Sequence, residues 1–145
     1  MRVALIVCLV ACVSACGGNS LAPGAAGGNA MSIAGTWNGT IVSSNNDTMQ
    51  LTMVLTQSGS AVNGTWNSTS VNWTGDISGA VTGSSFAGLF KFSGTASNGT
   101  VCTGTANVAG PVTASTISWT SPSGVVGGSC PAPLPIGLTI AVQRQ

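Results

Sequence analysis

Few side chains in this chain could do chemistry. Arg2, Asp47, Asp76, Lys91 and Arg144 carry all of its charge, Cys8, Cys12, Cys16, Cys102 and Cys130 hold all of its thiols, and it has neither histidine nor tyrosine. A histidine-based triad, a histidine-ligated metal and a tyrosine acid are therefore excluded, which leaves two carboxylates as candidate acid and base. Asp47 falls in an Asn-Asn-Asp turn, where a short side chain caps backbone amides. Asp76 lies between Gly75 and Ile77 on the face opposite Trp73, toward solvent or a cross-strand partner such as Lys91. Neither reads as catalytic, and no base is at hand to activate a serine or threonine hydroxyl. We expect no enzyme and no cofactor. Nucleic acid is excluded as a partner too, because three cations in the whole chain cannot neutralise several phosphates.

The cysteines point to an address. After Met1 and Arg2, Val3 to Ala15 is an almost unbroken apolar run that ends in small residues, the pattern of a secretory signal peptide. It is short of the roughly 20 apolar residues that a permanent helical span needs. Val13-Ser14-Ala15-Cys16 followed by Gly17 resembles the lipobox of bacterial lipoproteins, with Val13 where leucine is the commoner residue. The resemblance implies cleavage before Cys16, acyl chains on Cys16 and, with Gly17 next in place of aspartate, the outer membrane of a Gram-negative host. A plain signal peptide with an incidental Cys16 is the alternative.

Three segments follow from this: a signal over 1–15, a Gly/Ala-rich tether over 16–31, and a domain over 32–145. As a random coil the tether would span roughly 20 Å. Lys91 and Arg144 balance Asp47 and Asp76 in the mature chain, so membrane attachment would come through the N-terminal lipid and not through a basic patch. Cys102 and Cys130 are expected to pair in an exported chain. Such a bridge would contribute roughly 3 to 4 kcal/mol and pin the Pro/Gly-rich segment Ser121 to Pro135 onto the sixth strand. Two free thiols are the alternative.

The elements that position these groups are strands. From Ser32 onward Thr, Val, Ile, Trp and Phe alternate with Ser, Asn and Gly, without a helical period. Eight runs can be marked: Ile33 to Ser43, Met49 to Gln57, Ala61 to Asn67, Val71 to Val81, Ser85 to Phe92, Thr100 to Val108, Val112 to Thr120 and Ile136 to Arg144. Short turns between them, among them Ser58-Gly59-Ser60, Thr82-Gly83-Ser84 and Ala109-Gly110-Pro111, imply antiparallel neighbours. The fold class is all-β, an eight-stranded antiparallel up-and-down barrel, with a two-sheet sandwich as the alternative.

Gly35-Thr36-Trp37 at the start of the first strand and Arg144 at the end of the last resemble the signature of lipocalins and their calycin relatives. There, a basic residue from the final strand packs over a tryptophan at the closed end of the barrel. The resemblance implies a structural pair of Trp37 and Arg144. The chain lacks the second lipocalin motif with its Thr-Asp pair and the C-terminal helix. Gly64-Thr65-Trp66 is similar to the second hairpin of avidins, but without tyrosine or a Trp-rich final hairpin.

Met49, Met53, Trp66, Trp73, Phe90 and Phe92 are the candidate lining of an apolar ligand site, because aromatics and flexible thioethers suit an apolar guest. The competing reading is that they simply fill a barrel whose interior is just wide enough for side chains. The expected function is a membrane-anchored, non-catalytic binding or envelope-surface module. Its alternative is a lipocalin-like carrier of a small apolar ligand in the barrel interior.

Overall fold

The computed structural model describes residues 30–44, 46–95, 99–121, 125–129 and 137–145, with the side chains of 125–128 excepted. The signal segment, Cys16 and nearly all of the tether lie outside them, as does Cys130. Among the described residues nine strands form one antiparallel sheet: β1 (Gly35–Ser43), β2 (Thr48–Ser58), β3 (Ala61–Ser68), β4 (Trp73–Thr82), β5 (Ser85–Thr95), β6 (Val101–Pro111), β7 (Thr116–Thr120), β8 (Val125–Gly128) and β9 (Leu138–Arg144). Consecutive hairpins join β1 through β6, β7 pairs with β6 and β9, and β9 returns to β1. The sheet thus closes into an eight-stranded up-and-down barrel, and the sandwich alternative falls.

Period-two alternation explains why the sheet curls this way. Along β2, Leu51, Met53 and Leu55 are buried while Gln50, Val54 and Thr56 are exposed; along β5, Phe86, Phe90 and Phe92 are buried while Ala87, Leu89 and Lys91 are exposed. Closing the sheet on its apolar face buries the core and removes the backbone edges that a nearly uncharged sheet could not protect by repulsion. A membrane-spanning barrel needs the opposite arrangement, an apolar band outside. Here the outer face of β3, for example, is Asn63, Thr65 and Asn67.

The stretch from the end of β6 to β8 departs from the expected pattern in two ways. Ala109-Gly110-Pro111, expected as a turn, stays in β6, where Pro111 ends the strand opposite Ser85. The chain reverses instead at Thr113–Thr116. There the Thr113 N–H donates to the Thr116 carbonyl (2.8 Å), and the Thr113 hydroxyl accepts from the backbone N–H of Thr116 (2.8 Å) and of Ser115 (3.3 Å). Side-chain hydroxyls make a turn that no Gly or Pro announces. The second departure is β8, which pairs with the first half of β6 (Gly104↔Gly128, Ala106↔Val125) while β7 pairs near its end (Ala109↔Thr120). Within the Pro/Gly-rich segment, Val125–Gly128 is therefore laid against the sixth strand as a strand of its own.

Candidate functional site

The two ends of the barrel are built differently. At one end the chain enters across the opening: Ile33 is fully buried, and its N–H donates to Oε1 of Gln57 (2.8 Å), whose Nε2 donates to the Met31 carbonyl (3.2 Å). Ala30 and Met31, placed in the tether by sequence, pack against the core. Trp37 is fully buried above this plug and donates from Nε1 to the Ile33 carbonyl (2.9 Å). The Arg144 guanidinium lies over its ring, Cζ 4.6 Å from the centroid, as the calycin resemblance implies for that pair.

Arg144 does more than stack. Its Nε donates to the Ala114 carbonyl (2.8 Å), Nη1 to that of Ala34 (2.8 Å) and Nη2 to that of Ser32 (3.0 Å). One side chain thus ties the N-terminal plug to the β6–β7 turn. Gly35 makes room for it: its φ is +139°, and a Cβ there would sit 3.2 Å from Nη1 of Arg144. A larger residue would be strained and would crowd the guanidinium at once.

Among the described residues the opposite end is open. A pocket of about 350 Å³ enters the mouth between the β1–β2 turn, the later parts of β3 and β5 and the starts of β4 and β9, at the small end of the range for small-molecule sites. Its lining includes Met49, Trp66, Trp73, Phe90 and Phe92, so the structure gathers five of the six candidate lining residues around one space. Met53 is not among them. It faces the same way as Met49 but four residues deeper, opposite Trp37 and Trp66 in the ladder, and it is fully buried core. Sequence reasoning missed Ile41, Val71, Leu138 and Asp47, which also line the pocket.

The rings stand in two layers. Trp66 and Phe90 stack deeper in the barrel (centroids 4.6 Å apart, 20° between planes) and are almost wholly buried. Trp73 and Phe92 meet nearer the rim (5.7 Å, 34°), and Trp73 is half-buried. Glycines stand where these rings lie against the wall. A Cβ on Gly94 would collide with the Trp73 indole and one on Gly104 with the Phe92 ring, their partners across the ladder.

Trp66 also uses its polar atom. The β4–β5 ladder runs through Trp73↔Gly94 and Thr74↔Ser93 and resumes only at Ile77↔Phe90. In the gap the Lys91 carbonyl accepts from Nε1 of Trp66 at 2.9 Å, a reach across Gly75 that a side chain there would block. The indole thereby satisfies an acceptor that the ladder leaves open. Asp76 and Lys91 flank this gap in a separate groove on the outer wall, together with Thr65 and Asn67, and do not line the mouth pocket.

Among the described residues no cluster of three or more histidine, cysteine or acidic side chains exists that could hold a metal ion. No helix there is long and apolar enough to cross a membrane. Cys102 is buried in β6, and Cys130 lies outside the described residues. No family model matches the chain, and no curated protein or solved structure matches it significantly.

Proposed function

We propose that the protein is an exported, lipid-anchored binding module that holds a small, mainly apolar ligand in the open mouth of its barrel without transforming it. What carries this reading is the contrast inside one barrel: a closed end of buried side chains and, above it, an apolar pocket walled, among the described residues, by four aromatic side chains. Filling that space with one more core side chain would have been the simpler route to stability, since a void forfeits packing contacts. Its layout, with a Trp-Arg pair at the closed end and a pocket at the other, is similar to that of calycin carriers.

The experiment is titration with a neutral fluorescent probe, N-phenyl-1-naphthylamine. Saturable one-site binding to the native protein, lost in Trp73→Ala, is the expected outcome. A probe that binds without saturation, or equally well to the variant, overturns the pocket as a site.

The anchor in this reading is Cys16, at the outer membrane. The first described residues pack at the closed end, so a tether running back from Ala30 would leave the barrel on the side away from the mouth, with the pocket free to meet its ligand. Replacing Cys16 with serine should move the protein from the membrane fraction to the soluble fraction. Retention of Cys16→Ser in the membrane would sink the lipid anchor. The same reading pairs Cys102 with Cys130. Supporting it, the Ser129 N–H donates to the Thr103 carbonyl (2.9 Å), which brings the residue before Cys130 beside the residue after Cys102.

A further inference from the structure

Resting on the mouth pocket as a ligand site, we infer that its ligand is an organic cation, an ammonium carried on an apolar body, with Asp47 as its counter-ion. Three observations converge on this. First, Asp47 is, among the described residues, the one charged side chain of the pocket lining. Of the other described charges, Asp76 and Lys91 lie on the outer wall and Arg144 at the opposite end, so no described cation neutralises Asp47 there.

Second, Asp47 is not spent on its turn. The Asn-Asn-Asp sequence suggested that the carboxylate caps backbone amides, but the turn is closed by other atoms. The Ser43 N–H donates to the Asp47 carbonyl (2.9 Å), the Asn46 N–H to the Ser43 carbonyl (2.9 Å), and the Asp47 N–H to the Ser43 hydroxyl (3.2 Å). Among the described residues the Asp47 carboxylate itself has no hydrogen bond and no ion pair. The carboxylate of this exposed residue, at the edge of the apolar hollow, gains nothing from a neutral apolar guest. It favours a guest that brings a positive charge.

Third, the remaining wall suits such a charge. The negative faces of aromatic rings attract a cation within about 6 Å of the centroid, best of all over indole, and an alkylated ammonium loses little hydration on entering. Trp66, Trp73, Phe90 and Phe92 supply two indoles and two phenyl rings around one space. A compact anion would find no donor charge there, and a sugar would find few polar partners.

The test uses an isosteric pair, phenyltrimethylammonium and tert-butylbenzene, which differ in charge and hardly in shape. Both are measured by displacement of N-phenyl-1-naphthylamine from the native protein and from Asp47→Asn, and the readout is the ratio of the two affinities, so that a general change in binding cancels. The inference expects the cation to bind about tenfold more tightly than its neutral twin. It also expects this ratio to fall several-fold in Asp47→Asn and with added salt. Equal affinities in the native protein overturn the inference while leaving the apolar pocket standing. A ratio unchanged by Asp47→Asn overturns Asp47 as the counter-ion. If neither compound displaces the probe, the pocket reading fails together with the inference.

Discussion

At the closed end the polar atoms of the key side chains are matched: Trp37 Nε1 has the Ile33 carbonyl, and the three kinds of guanidinium nitrogen on Arg144 have three carbonyls. At the mouth, among the described residues, the aromatic rings border an open pocket and the Asp47 carboxylate has no partner. The same eight strands form both ends. The difference teaches that in a barrel of this size the wall does not decide whether the interior is filled. What decides it is the depth at which each inward side chain lies, and whether the chain folds back over the opening as Ile33 does.

The strongest way to break this comparison is to truncate one indole at each end. Trp37→Ala removes a fully buried ring, its hydrogen bond and the surface on which Arg144 lies, and should cost about 3 to 5 kcal/mol. Trp73→Ala removes a half-buried ring that already borders a void, and should cost about 1 kcal/mol while abolishing probe binding. Urea unfolding followed by far-ultraviolet circular dichroism measures both. Comparable losses of stability would mean that the mouth aromatics are core like the rest.

Much of this architecture can be read from the chain, because period two shows which side chains face inward. That is why Leu51, Phe86 and Phe90 are placed correctly by alternation alone, and why hairpin order gives the barrel. Depth is another matter. Met49 and Met53 share a face, yet they lie about 13 Å apart along the strand, so one borders the pocket and the other is core. Stagger between strands sets that depth, and stagger leaves no periodic trace. Asp47 escaped notice as a lining residue for a related reason: a turn has no face until its hydrogen bonds are known, and here Ser43 makes the bonds that the aspartate was expected to make. The strand β8 was hidden in a Gly/Pro-rich stretch whose four strand residues, Val125–Gly128, include two glycines. Pairing with β6, and not local propensity, makes it a strand.

A finer comparison lies within the filled part of the barrel, between its two fully buried tryptophans. Trp119 stacks on Phe86 at 4.1 Å and is as fully buried as Trp37, but its Nε1 has no hydrogen-bond partner among the described residues. Replacing either indole with phenyl removes similar volume, so the cavity contributions nearly cancel in the difference. What remains is the polar atom. In Trp37→Phe the Ile33 carbonyl is left without its donor and Arg144 lies over a smaller ring, whereas in Trp119→Phe a buried donor with nothing to bond is taken away. Trp37→Phe should therefore be the more destabilising of the two by about 1 to 2 kcal/mol, read as the difference in urea midpoints at equal slope. If Trp119→Phe proves as costly as Trp37→Phe, shape alone holds the interior and the hydrogen bond at the closed end is incidental.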